Sequence, residues 1–391
     1  MKKSKYIKYL LLKEWLPFIV IFTAIALIGF FLQCASVSLY NCPNTTNVLS
    51  EFSISTFLWS VTIFAIAMPF LVFSYRFTTK RNDTYYQLPF NANELKNIRV
   101  LTGLLAVVIA FTISFMIPYV FLMVRYGASP AYVMFEGKRL DKESIDFGLM
   151  FAMFFIALAA IAIEYFISCF FVSLCDHPLS ALVVSAAFHA LLVFTMYFAA
   201  LSASTILDAA GASYPYNELR FASTPFFRYS PGPAFAGFFA DNFFSTYVLG
   251  KHYDAIIMRP DQSYYYFSLF IYVSIIVMDV VIGVIACLMT LLRKDKSGEM
   301  CKKHGFANEK LNPLFLLCLV PAVILSFGIP SQSVFPYSFI WLTFVGLAYF
   351  LYVLFNGTFK IRYYNYIIIG AVLLMMFVTP FVMDAIYPNR I

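Results

Sequence analysis

The chain has 391 residues, 62% hydrophobic and only 12% charged, with a mean hydropathy of +0.81 and a formal net charge of +7. A soluble domain carries about 25% charged residues, so this composition excludes a water-soluble enzyme or binding module and marks a polytopic membrane protein. The basic excess sits in short loops between apolar runs, where lipid or a partner protein neutralises it, and it calls for no nucleic acid.

The first 15 residues, "MKKSKYIKYLLLKEW", are basic, and Lys2, Lys3, Lys5 and Lys8 are placed on the inner membrane surface. The apolar run from Leu16 outlasts a signal-peptide core, which predicts a retained first helix. Nine apolar segments follow in order: Leu16 to Tyr40, Thr56 to Ser74, Val100 to Met123, Leu149 to Leu174, Leu179 to Leu201, Phe267 to Leu292, Pro313 to Ile329, Phe335 to Phe355 and Tyr366 to Met383. About 20 residues of helix cross the ~30 Å hydrocarbon core. These runs are apolar on every face and do not alternate, so an all-α bundle is expected and a barrel is not.

Of the 27 Lys and Arg residues, 18 fall in the segments that lie inside when the N-terminus is inside, and 9 fall in the others. Cytoplasmic loops accumulate such residues, which predicts an inside N-terminus and, with nine spans, an outside C-terminus. The expected organisation is a basic N-terminal segment (1–15), a six-span region (16–292), a cytoplasmic loop (293–312) and three further spans (313–391). The long outer loop 202–266, with "TPFFRYSPGPAFAGFFADNFFSTYVLG", is rich in Phe, Gly and Pro. It reads either as dipping into the outer membrane face or as a small cap with its own apolar core.

Between the second and third spans the inner loop 75–99 contains "TKRNDTYYQLPFNANE". Asn82 or Asp83 caps a short helix through "TYYQ", and Pro89 ends it. Asn91 with Glu94 reads as a capping box that starts the third span. A short helix set across the ends of two spans transmits a push into both. The next inner loop is only "CDHP".

The chain has no G-x-x-x-x-G-K-[ST], and "EGKRL" lacks the first glycine and the hydroxyl after lysine. It also has no nucleophile elbow and no H-E-x-x-H, so if ATP drives the protein, ATP and Mg are bound by another polypeptide. Cys169, Cys175 and His177 in "CFFVSLCDH" have irregular spacing for zinc, and packing with turn chemistry is the expected reading.

Three ionisable residues fall inside spans: Glu164, His189 and Asp279. A carboxylate at mid-helix costs roughly 2.5 to 3.5 kcal/mol on insertion scales, so each is expected to face protein or water. Glu164 shares a face with Ala157, Ala160 and Ser168, Asp279 with Gly283 and Ala286, and His189 with Ser185 and Ala186. Small residues on these stripes let helices approach closely. For the two carboxyls a substrate pathway and an interhelical lock stand level, with a proton relay as a third reading. His189 reads as structural.

The run "YRFTTKRNDTYYQLPFNANELKNIRVLTGLL" resembles the signature region of bacterial ABC-2 type transporter permeases, where a basic, Asp-containing segment leads to Leu-Pro and a capped third span. "KSGEMCKKHGFANEKLNPLF" is similar to a second family stretch, with the departures that Gly298 separates Ser297 from Glu299 and that Cys301 and Lys302 stand where small residues are usual. The arrangement of residues 1 to 292 resembles the same core, and the last three spans resemble the extension in longer permeases of Gram-positive bacteria. The resemblance further implies an extracellular portion after these spans. This sequence stops there at "MDAIYPNRI", as a piece of a longer permease or a short variant.

By this resemblance Lys80, Arg81, Asp83, Tyr86, Leu88 and Pro89 dock on a separate ATPase subunit, and Asp176 and His177 mark a smaller contact loop. It also implies a plasma-membrane permease without catalytic residues or cofactor of its own, paired with a second copy or a different permease. Such a pair exports or extracts an amphipathic or lipid-like substrate or peptide. A sensor or resistance module against membrane-active peptides on the same fold is the nearest alternative. A proton-coupled carrier or membrane enzyme using Glu164 and Asp279 is the one from another class.

Overall fold

The computed structural model describes residues 3–39, 62–77, 88, 90–126, 132–135, 138–141, 147–175, 177–209, 262–293, 315–356 and 363–387. They fall into two compact units. The first comprises Met1–Phe73, Asp83–Phe170 and Pro231–Asp295, and the second Ser74–Asn82, Phe171–Ser230 and Lys296–Ile391.

The first unit begins with α1 (Lys3–Tyr9), which runs into a π-helical turn, Leu10–Glu14, before α2 (Leu16–Leu39). The Trp15 N–H donates to the Leu10 carbonyl at 2.9 Å. Pro17, without an N–H, sits where a new helix starts. Together they turn the stretch Lys3–Glu14 by 53° from Leu16–Leu32. The unit continues with α3 (Thr62–Val72), α4 (Ala92–Tyr126), α5 (Phe147–Ser173, whose last residues belong to the second unit) and α7 (Gln262–Leu292). Phe22 of α2 stacks on Phe64 of α3 at 4.3 Å, and Phe111 of α4 on Phe154 of α5 at 5.4 Å. Val280, Val281 and Val284 on one side of α7 are exposed, as are Ile21, Ile25 and Ile28 of α2. Water penalises such a surface and lipid does not.

Between α4 and α5 an antiparallel hairpin, β1 (Tyr132–Phe135) with β2 (Lys138–Asp141), pairs Tyr132 with Asp141 and Phe135 with Lys138. Its strand residues flank a Glu-Gly dipeptide, a turn-forming pair that the reading of the apolar segments passed over.

In the second unit α6 (Pro178–Ala209) packs against α8 (Val320–Gly328), a short helix entered through a 3-10 turn from Phe315. A Cβ on Gly328 would lie 2.8 Å from the Ser202 Cα, so only glycine permits this crossing. The Ser202 hydroxyl donates to the Ile324 carbonyl at 2.8 Å. The extended Ile329 and Pro330 stop α8, and α9 (Val334–Asn356) and α10 (Tyr363–Ile386) follow. The Asp384 carboxylate of α10 accepts the Ser331 N–H at 2.7 Å and holds that turn.

Each of the nine apolar segments carries helix among the described residues. Five helices there are long and apolar enough to cross a membrane, and a sixth is added if the bent N-terminal pair is one span. Three apolar stretches, Thr62–Val72, Val277–Leu292 and Phe315–Gly328, are shorter. The second of these is the end of the 31-residue α7, and Phe315–Gly328, at 1.5 Å per residue, falls below the ~30 Å of a hydrocarbon core. The protein is thus a helical membrane protein with five or six evident spans among the described residues.

Candidate functional site

The last carbonyls of a helix have no partner within it, and a nearby cation both hydrogen-bonds them and favours the negative end of the helix dipole. In the first unit α4 supplies two such cations, Lys96 and Arg99, three residues apart and therefore on one face. The Lys96 ammonium donates to the Leu291 carbonyl at 3.2 Å and to that of Arg293, capping α7. The Arg99 guanidinium donates to the Val72 carbonyl at 2.9 Å and to Leu71 at 3.4 Å, capping α3.

Arg99 has further partners. It donates to both oxygens of Glu14, at 2.8 and 3.5 Å, and to the Tyr6 hydroxyl at 3.3 Å. The Trp15 ring lies 5.5 Å from its central carbon. Its side chain is 5% exposed against 32% for Glu14, so the pair is desolvated mainly on the arginine side. Burial pushes the Tyr6 hydroxyl above its ordinary range, and it stays protonated. Lys3 pairs with Glu94, and the Tyr6 and Phe90 rings lie 6.0 Å apart. The N-terminal elbow, the end of α3, the start of α4 and the end of α7 therefore meet at one polar junction.

In the second unit Arg76, in the 3-10 turn Ser74–Phe77, donates to the Ser173 carbonyl at 2.6 Å and caps the end of α5. Two i→i+3 bonds, from Leu174 to Phe171 and from Cys175 to Val172, tighten that end. His177 then starts α6. Its Nδ1 accepts the Leu179 N–H at 3.3 Å, its carbonyl accepts the Ala181 N–H, and Pro178 holds the first helical position.

Of the residues expected to couple to a partner, Lys80, Arg81, Asp83, Tyr86, Pro89 and Asp176 lie outside the described residues, as does the expected short helix through "TYYQ". Leu88 is half-buried, and its carbonyl accepts the Phe90 N–H at 2.8 Å in a tight turn. His177 is exposed and acts as a helix cap. Asn91 immediately precedes α4, and its carbonyl accepts the Leu95 N–H, while Glu94, the expected return arm of a capping box, pairs with Lys3.

Among the intramembrane groups, Glu164 of α5 and Asp279 of α7 are both fully buried, and Glu164 lies within electrostatic reach of Asp279. The helices meet beside them: Ile163 fills the space that a Cβ on Gly283 would enter, at 3.1 Å. Ala157, Ala160 and Ser168 are buried with Glu164, and Ala286 with Asp279, as the small-residue stripes predict. Neither oxygen of Asp279 has a hydrogen-bond partner among the described residues. His189 behaves otherwise: its Nδ1–H donates to the Ser185 carbonyl at 2.6 Å, and its ring meets the edge of Phe171.

The sequence reading passed over Tyr6, Glu14, Arg76, Lys96 and Arg99. A signal for two of them was available, because cations within two turns of a helix start gain nothing from that helix's own dipole and serve other helix ends better. Among the described residues no cluster of three His, Cys, Asp or Glu side chains is placed to hold a metal. Compared with family models, curated proteins and solved structures, the chain matches none.

Proposed function

We propose that the chain is the membrane-embedded permease subunit of an ATP-driven exporter, multi-pass in a bacterial plasma membrane and powered by separate ATPase subunits. The observation that supports this reading is the anchoring of the segment 78–90 at both ends. Before it, Arg76 is fixed to the end of α5. After it, Lys96 and Arg99 are fixed to the ends of α7 and α3. A partner that moves this segment pulls on capped helix ends and not on slack loops, so the displacement enters the bundle. Two such permeases, alike or different, would then expose a shared cavity to alternate sides for an amphipathic substrate.

The test is purification of the full chain, tagged and expressed from its native membrane, with identification of the bound subunits. A P-loop ATPase recovered in stoichiometric amount supports the permease. An isolated chain whose reconstituted vesicles still move solute without ATP overturns it. The second reading, a proton-coupled carrier, is favoured by a different observation, the buried carboxyl of Asp279, whose oxygens have no hydrogen-bond partner among the described residues.

A further inference from the structure

We infer that the outer face of the N-terminal elbow, built by Lys5, Lys8 and Lys13, is a binding surface for the headgroups of anionic phospholipids. The elbow is the stretch Lys3–Glu14, made of α1 and the π-helical turn after it. Its inner face is committed to the bundle: Tyr6 and Leu10 are buried, Tyr6 and Glu14 meet Arg99, and the Lys3 ammonium pairs with Glu94. Its outer face is not. Lys5, Lys8 and Lys13 are exposed and have no ion-pair partner among the described residues, and Tyr9 and Leu12, which fall between Lys8 and Lys13, are exposed with them. The two carboxylates nearest the elbow are engaged by Arg99 and Lys3, so these three ammonium groups lack a counter-charge there.

Position identifies the counter-charge. Lys13 stands three residues before Leu16, and from there the exposed large side chains of α2 are apolar, among them Val20, Ile21, Ile25 and Ile28. The bend of 53° keeps the elbow close to that lipid-facing surface. At 1.5 Å per residue the elbow is about 18 Å long, but measured along α2 it rises only about 11 Å. A headgroup layer is roughly 5 to 8 Å deep on each side of a bilayer, so lysine side chains on the elbow reach its phosphates. Their methylene stems, with Tyr9 and Leu12, cover apolar surface while the ammonium groups stay at the headgroups. An acidic protein surface would match the charges but not the position, because the lipid-facing side of α2 begins one turn below Lys13. The surface stands whichever partner powers the chain.

The full chain, with the photo-crosslinking residue p-benzoylphenylalanine in place of Tyr9, is reconstituted in nanodiscs of equal phosphatidylcholine and phosphatidylglycerol. After irradiation, mass spectrometry counts the lipid adducts. A lysine near an anionic surface gains roughly a factor of five, so phosphatidylglycerol adducts should exceed phosphatidylcholine adducts at least about fivefold. The same label at Phe339, exposed on α9, reports ordinary surrounding lipid and should give a ratio near one. Lys5→Gln, Lys8→Gln and Lys13→Gln together should bring the ratio at the Tyr9 position toward one, as should salt at about 0.5 M. The melting temperature should stay near wild type, because all three side chains are exposed. Changing the same three lysines to Arg should preserve the enrichment. A ratio near one in the wild type, equal enrichment at Phe339, or enrichment that survives the Gln variant overturns the proposal. So does loss of enrichment with excess glycerol 3-phosphate, which would assign the lysines to a soluble phosphate, or an adduct with a co-purifying protein in place of lipid.

Discussion

Tyr165 on α5 donates a hydrogen bond to the Val100 carbonyl on α4 at 2.7 Å, and the approach is open only because residue 103, three positions further along α4, is glycine. A Cβ at Gly103 would stand 2.3 Å from the Tyr165 hydroxyl oxygen and 2.5 Å from Val72 Cγ2 of α3. Three helices thus close on one missing methyl group.

Gly103→Ala should lower stability by roughly 1 to 3 kcal/mol, the usual cost of overpacking. Thermal unfolding in detergent, followed by fluorescence-detected gel filtration, measures it. Tyr165→Phe removes the atom that clashes hardest while keeping the ring, so the double variant should recover part of the loss, with Val72 accounting for the rest. Loss in the double variant equal to the sum of the single losses would show that the two residues do not meet.

Arg99→Gln should be more damaging than any exposed charge change in the chain. It strands the carbonyls of Leu71 and Val72 and removes the partner of Glu14, and breaking a buried pair in this way costs about 3 to 5 kcal/mol. Glu14→Gln should cost less, because Glu14 is 32% exposed and water replaces part of what it gives. Arg99→Lys should not restore wild-type stability, since one ammonium cannot reach two helix carbonyls and a bidentate carboxylate together. The order of melting temperatures across these three variants is the check.

The helices themselves were legible because each apolar run must satisfy its own backbone in lipid. Their ends were harder to read. α4 begins at Ala92, eight residues before the apolar run at Val100, and α6 persists to Ala209, eight beyond Leu201. Hydropathy marks where lipid begins, whereas helix ends follow caps and tertiary partners such as Lys96 on Leu291. Burial of Glu164 and Asp279 followed from the cost of charge in lipid. Their proximity did not, because 115 positions separate them and no local pattern encodes the contact of Ile163 with Gly283. Arg99 was counted only as a loop charge, since Glu14, Tyr6 and Val72 come to it from three other segments.

The distribution of Lys and Arg, 18 against 9, predicts which face each loop occupies. A cysteine introduced at Lys80 should resist an impermeant maleimide in intact cells and react after permeabilisation. A cysteine at Tyr229 should react in both. Labelling of the Lys80 position in intact cells would invert the arrangement and place the polar junction of Arg99 and Lys96 on the outer face, out of reach of a cytoplasmic ATPase.

The coupling role of "KRNDTYYQLPF" is tested where it makes its boldest demand. Tyr86 and Leu88 are expected to bury apolar area in a groove of the ATPase subunit, with Arg81 and Asp83 setting orientation by charge. Aromatic and arginine anchors typically cost ~2 kcal/mol or more when truncated, so replacing Tyr86 and Leu88 together by Ala should weaken partner binding at least about tenfold or separate ATP hydrolysis from transport. Membrane insertion should be unchanged, because neither residue belongs to an apolar segment and the anchors on either side, Arg76 on Ser173 and Phe90 against Tyr6, remain in place. A contrasting variant, Phe90→Ala, keeps the docking residues but removes the ring that meets the N-terminal helix. It should leave partner binding near wild type while reducing the transport obtained per ATP. Full coupled activity in the Tyr86 and Leu88 double variant would reduce the segment to a linker and remove the main support for a permease driven through this loop.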